Sequence, residues 1–226
     1  MATTPPPHHH AQHPTPPRWE RRKYARPAEL LAAALDLFVE KGYTATRLDD
    51  VAAHAGVSKG TLYLYYTNKE ELLKAVVREN IIPVVAASQK IASEYDGDCS
   101  TLLRLLVLGW YESFVNTKLS GISKLIISES GNFPALTRFY HDEVIVRIQA
   151  LMRGVLERGI ARGEFRAIDT VSAVHVCFGP MMMLSLWRHS FGTCCNTSLE
   201  PQAYLESYVE LVLSSLTNHT YGNTHV

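Results

Sequence analysis

The 226-residue sequence predicts an all-α protein. Apolar residues recur at three- and four-residue spacings from Pro27 almost to the C-terminus, the period of one helix face. No stretch shows the two-residue alternation of a strand. Helix punctuation falls at the ends of the periodic runs, with Ser58, Asn68 and Asp169 where runs begin and Gly42, Gly56 and Gly163 where they stop.

Pro27 suits a first helical position, where its missing N–H costs nothing. The stripe Leu30, Leu31, Ala34, Leu35, Leu37 and Phe38 then runs to Lys41-Gly42, Gly42 supplying a left-handed cap. A short second helix is expected over Thr46 to Ala55, broken by Gly56. A third follows from Ser58, its N-cap, to about Tyr65. Asn68 caps a fourth, with Glu70-Glu71 in the first turn where the helix dipole favours acids. That helix runs through Leu72, Leu73, Val76 and Val77 towards Pro83, which is expected to kink or end it. Further helices are expected over Thr101–Lys118, Ile122–Ser130, from Phe133-Pro134 to about Arg162, from Asp169 to Phe191, and from Pro201 through Leu216.

With 46% hydrophobic and 19% charged residues the chain is neither disordered overall nor short of core-forming side chains. Residues 1–17, rich in Pro, Thr and His, have no apolar face and are expected to form a disordered tail; the His8–His10 run belongs to it rather than to a metal site. The organisation predicted is this tail, a small helical unit over 18–70 and a larger helical unit over 71–219. Net charge is zero, but the segment Arg18 to Arg78 holds 11 basic against 8 acidic residues, front-loaded into Arg18, Arg21, Arg22, Lys23 and Arg26. The longest apolar stretch, Val171 to Trp187, is interrupted by His175, Gly179 and Pro180, and no membrane span or secretory signal is expected. Four cysteines without a CxxC pair fit a reduced, cytoplasmic protein.

The segment Thr46 to Tyr66 carries the chemistry. Leu48, Val51 and Ala52 form one inner face, Gly56 permits the positive φ of a sharp turn, and Val57 packs behind it. Leu62 and Tyr66 anchor the next helix. Its outer face offers Ser58, Lys59, Gly60, Thr61 and Tyr63: short donors, a cation, and a glycine that allows close backbone approach. Such residues suit the N-terminal part of a recognition helix in the major groove. Lys59 and Thr61 can meet phosphates or base edges, and Tyr63 and Tyr65 can donate to phosphate. Lys69 and the cluster containing Arg22 and Lys23 lie where a duplex backbone would run.

Gly42-Tyr43, Thr46, Val51-Ala52, Ala55-Gly56-Val57-Ser58, Gly60-Thr61-Leu62-Tyr63, Tyr65-Tyr66 and Lys69-Glu70-Glu71-Leu72 together resemble the N-terminal signature of the tetracycline-repressor (TetR) family, over Arg26 to about Val77. The resemblance implies that Thr46 starts the second helix and binds phosphate. It implies that Lys59, Gly60, Thr61 and Tyr63 lie on the recognition helix, and that Tyr65 and Lys69 meet the backbone. It also implies an all-α homodimer on a near-palindromic double-stranded DNA operator, with an inducer pocket in the C-terminal helices and the last two long helices at the dimer seam. Val51 and Tyr66 stand where Ile and Phe are commoner, and Leu64 occupies a position often polar. Gly159 to Arg166 resembles the family's turn before the penultimate long helix.

A small-molecule pocket for an apolar or aromatic inducer is expected among Leu106, Trp110, Phe114, Leu125, Phe133, Phe139 and His175. Tyr111, Asn116, Ser128 and Tyr140 are further polar candidates to orient the ligand, and Met181-Met182-Met183 either lines that pocket or packs at the dimer seam. That seam is expected to include Val209 and Val212. There is no Gly-rich phosphate loop, GxSxG elbow, cofactor motif or regular metal-ligand spacing, so neither enzyme, cofactor nor metal is expected. The alternatives are a helical-bundle carrier or enzyme using the same apolar helices, and a regulator sensing thiol chemistry or metal through His175, Cys177, His189 and Cys194-Cys195.

Overall fold

The computed structural model describes residues 18–194 and 199–217, residues 18–26 and 193 by backbone alone. The expected tail, Cys195 and residues 218–219 lie outside these described residues. Eleven α-helices occur among them, and no strand; the one β-bridge joins Phe165 to Thr217. The first four helices are α1 (Arg18–Lys41), α2 (Leu48–His54), α3 (Lys59–Tyr65) and α4 (Lys69–Val76). A π turn, Val77–Ile81, joins α4 to α5 (Ile82–Glu94), and α6 (Cys99–Trp110) runs into a second, Tyr111–Val115. Beyond these are α7 (Ser120–Glu129) and α8 (Pro134–Tyr140), the third π turn His141–Ile145, then α9 (Val146–Ala161), α10 (Thr170–His189) and α11 (Pro201–Leu216).

Two expected boundaries move. Helix α1 begins at Arg18, not Pro27, and Pro27 lies inside it. The turn preceding Pro27 is helical although the ring removes one N–H from the ladder. Pro83 sits in the first turn of α5, just after the π turn at which α4 ends. There Ile82 donates five residues back to Val77, and Asn80 Nδ2 donates to the Val76 carbonyl at 2.9 Å. A wider turn thus absorbs the proline and lets the helical rod continue. Gly42, Gly56 and Gly163 hold the three positive φ angles, and Ser58, Asn68 and Asp169 each accept a backbone N–H two or three residues on.

One core runs through head and body without interruption. Leu30, Phe38, Leu62 and Leu72 of the first four helices share it with Ile122 of α7, Leu184 of α10 and Val209 of α11, all buried. A second core, containing Cys99, Leu103, Leu156, Phe165 and Leu216, closes the far end. Head and body meet where α1 crosses α7 at Gly121. A Cβ there would sit 2.7 Å from Val39 Cγ1 and 3.3 Å from His189 Cε1, so only glycine permits the approach. Around it Lys118 Nζ donates to Asp36 Oδ1 at 2.6 Å and Thr44 donates to Glu129 at 3.0 Å. Ser120 Oγ and His189 Nε2 lie 2.7 Å apart.

Helix α10 is long and apolar enough, by length and composition alone, to cross a membrane; here it packs against α7, α9 and α11. Its outer face shows Val176 at 70% and Met183 at 50% exposure, and α11 shows Leu211 at 71%. The expected seam residues differ from this stripe. Val209 is buried against its own protomer and Val212 is partly covered by both cores, because they lie on the row of α11 with Leu205, Tyr208 and Leu216 that faces the protomer's own interior.

Candidate functional site

Helix α3 stands on the surface, held from beneath by the fully buried Leu62. Ser58 Oγ accepts the Thr61 N–H at 3.2 Å and lies 2.8 Å from Thr61 Oγ1, so the cap and the first outward residue share one network. Lys59, Gly60, Tyr63, Leu64 and Tyr65 are exposed, and Thr61 is half-buried. Lys59 Nζ donates to Asp49 Oδ2 at 2.9 Å and lies 5.8 Å from the Tyr63 ring centre, which places α2 and α3 side by side at their outer ends. The hydrogen bond and charge of Asp49 raise the Lys59 ammonium above its ordinary value, so it stays protonated. Asp49 is a partner that spacing alone did not single out.

Two expected DNA contacts face the other way. Thr46 is buried, and its hydroxyl lies 3.1 Å from the Leu37 carbonyl and 2.7 Å from the Gly42 carbonyl, both acceptors. It ties the end of α1, while α2 starts two residues later at Leu48 with Arg47 as its cap. Lys69 Nζ donates to the Tyr43 and Thr44 carbonyls at 2.6 and 3.1 Å and lies over the Tyr43 ring at 4.5 Å. Burial holds this ammonium below the usual lysine range, with the charge of Glu129 opposing. Lys69 is therefore an internal staple on the turn between α1 and α2. Arg22 and Lys23 lie on the first turns of α1, where the backbone alone is described.

Inside the body two cavities abut. The outer one has a cavity volume of about 50 Å³, partly open to solvent, and is walled by Val85, Leu106, Trp110, Met152, Cys177 and Tyr208 among others. The other, inner in that α7 and α8 wall it, is a water-sized space of about 10 Å³, also partly open, walled by Phe114, Ser123, Tyr140, Ile145, Met182 and Ser185. Trp110, Ile148, Phe178 and Met181 border both. No charged side chain lines either. Of the expected pocket residues, Leu106, Trp110 and Phe114 are brought together, with Trp110 stacked on Phe114 at 4.4 Å. The other four line neither cavity. Leu125 is buried in the core. Phe133 packs edge-on against Tyr43 at 4.7 Å. Phe139 lies under Lys74 and Arg78. His175 is exposed on the outer face of α10. The methionine run divides: Met181 and Met182 face the cavities, and Met183 faces outward. Burial pushes the Cys177 thiol up, away from the reactive thiolate, and Cys194 is exposed.

Residues 30–76 match the family described as bacterial regulatory proteins, tetR family, and residues 101–215 match the AefR-like transcriptional repressor C-terminal domain. The chain belongs to the TetR family. Among its relatives, the HTH-type transcriptional repressor KstR2 of Rhodococcus jostii strain RHA1 is 28% identical over 198 residues, 87% of this chain and 93% of that protein. The uncharacterized HTH-type transcriptional regulator YdeS of Bacillus subtilis strain 168 is 31% identical over 159 residues, covering 67% and 74%. The structure of FadR from Bacillus subtilis in complex with stearoyl-CoA shares the fold, with a TM-score of 0.72 at 22% identity over 83% of this chain and 98% of that one. This TetR-family member is a DNA-binding, ligand-responsive transcriptional repressor, and its relatives are regulators rather than enzymes.

The two lysines separate a staple from an outward cation. Lys69→Met, which keeps the aliphatic stem, is expected to lower stability by about 1 kcal/mol, because a partly buried carbonyl, that of Tyr43, and the exposed one of Thr44 lose a charged donor. Lys59→Met should leave the unfolding midpoint unchanged, since its ion pair is exposed. Urea unfolding of both variants checks this contrast.

Proposed function

We propose that the protein binds a near-palindromic operator as a homodimer and is released by an elongated apolar molecule held in the two abutting cavities. One observation carries this reading: the core that anchors the recognition helix through Leu62 also contains Phe114, Tyr140 and Met181 of the inner cavity wall. Material entering the cavity therefore displaces side chains in contact with the packing that orients the head.

On the DNA side the proposed contacts are Lys59, Gly60, Thr61, Tyr63 and Tyr65, with Ser58 acting as the cap that presents them and Arg22 and Lys23 as backbone contacts from α1. Lys59 would exchange Asp49 for phosphate or a base edge. Two such helices, about 34 Å apart, would reach successive major grooves. The exposed Val176, Met183 and Leu211 supply an aliphatic stripe that a second copy would cover. On the ligand side, FadR of Bacillus subtilis holds stearoyl-CoA. The uncharged lining here favours the same kind of body, a long apolar chain or fused ring, with any charged group left outside.

The test is titration of a duplex from the region upstream of this chain's own gene by fluorescence anisotropy across salt concentrations. Lys59→Ala is expected to weaken binding and flatten the salt slope by about one unit. Unchanged affinity and slope would remove α3 from the interface. For the dimer, Val176→Glu combined with Leu211→Glu is expected to give folded monomers in sedimentation. Operator affinity should fall by about 100-fold or more as the second head is lost. A folded double variant that stays dimeric contradicts the seam.

A further inference from the structure

The inner cavity has a polar spot in an otherwise apolar wall. Ser123 of α7 and Tyr140 at the end of α8 are 2% and 4% exposed, and their hydroxyl oxygens are 2.9 Å apart. Among the described residues, each side chain has the other as its one hydrogen-bond partner. The third hydroxyl in the lining, Ser185, is engaged with its own helix, donating to the Met181 carbonyl at 3.2 Å. Two hydroxyls carry two protons, and the bond between them uses one. One donor is left over, and both residues line the same cavity.

We propose that the Ser123–Tyr140 pair is a subsite for one neutral acceptor oxygen, a ketone, ester or thioester carbonyl, at the inner end of the apolar ligand. The inference rests on the reading of the two cavities as the inducer site and adds the chemistry of the ligand's buried end. A buried donor without an acceptor is costly, and a carbonyl oxygen satisfies it. A carboxylate is excluded at this depth because no cation lines either cavity to offset its desolvation. Burial lifts the Tyr140 phenol to about 12, so it remains a donor throughout the physiological range.

The placement also joins the ligand to the head. Ser123 is two residues from Gly121, where α7 touches α1. Tyr140 immediately precedes the π turn His141–Ile145, and Phe114 lies in the π turn Tyr111–Val115. Each π turn displaces the following helix by one residue relative to a regular α-helix, and both border the inner cavity. An oxygen drawn between Ser123 and Tyr140 would act on the short link between α7 and α8, which lies against the Tyr43–Phe133 contact with the head.

The experiment compares 2-undecanone with 2-methyl-1-undecene, which replaces the carbonyl oxygen by a methylene of similar shape. Full-length protein carrying Trp19→Phe and Trp187→Phe leaves Trp110, at the border of both cavities, as the fluorescent reporter. The ketone is expected to bind about three- to tenfold more tightly than the alkene. In the double variant Ser123→Ala with Tyr140→Phe that preference should fall to within about twofold, with alkene affinity unchanged, whereas either single substitution still leaves one unpaired hydroxyl donor and retains a preference. Equal affinities in the starting protein, or a ketone preference that survives both substitutions, would overturn the subsite and leave the cavity reading standing. Quenching by neither compound would overturn the cavity reading, and the subsite with it.

Discussion

The close crossing of α1 and α7 at Gly121 is the constraint on which the working of this regulator depends. Val39 from the head and His189 from the end of α10 close in on the position a Cβ would occupy. Three elements therefore meet over a position without a side chain: the first helix of the head through Val39, a wall of the inner cavity at Gly121, and the end of the long helix through His189. Lys118–Asp36 and Thr44–Glu129 flank the crossing, but they are exposed links of small individual worth. Close packing carries the connection, and packed contacts of this kind switch between discrete arrangements rather than deform continuously.

The head's contact surface rests on ties within the head. Thr46 closes the end of α1, Lys69 clamps the next turn through two carbonyls, and Ser58 and Asn68 cap α3 and α4. These leave Lys59, Gly60, Tyr63 and Tyr65 standing outward on a short helix whose only fully buried anchor is Leu62. A seven-residue helix has little stability of its own, so its orientation is set by the core below it. In the proposed reading, that dependence is what would let a ligand held in the same core reach the recognition helix.

Local features were legible in the sequence because their physics is local. The caps at Ser58, Asn68 and Asp169 and the turns at Gly42, Gly56 and Gly163 act within a few residues, and the helix-turn-helix follows from them. What periodicity could not show was which element covers each face. Phe133 reads as a pocket aromatic but packs on Tyr43, 90 positions away in the chain; Lys69 reads as a phosphate contact but serves carbonyls 25 and 26 positions earlier. His175 and Cys177 are two residues apart on one helix and so point to opposite sides, one outward and one to the cavity. The methionine run divides for the same reason, at about 100° per residue. Ser123 gave no signal in the sequence, since a helical serine has no distinctive spacing until its distant partner Tyr140 is in place.

The central claim is that ligand and operator communicate through the α1–α7 crossing, and the reciprocal coupling between the two sites measures this most directly. Operator affinity would be determined with and without saturating 2-undecanone, and 2-undecanone affinity with and without saturating operator, in the unsubstituted protein and in Gly121→Ala. The account predicts that each ligand weakens the other by the same factor, about fivefold or more. It also predicts that Gly121→Ala, by forcing the two helices apart, brings that factor close to one while both molecules still bind singly. A coupling factor that is unchanged by Gly121→Ala would contradict the account.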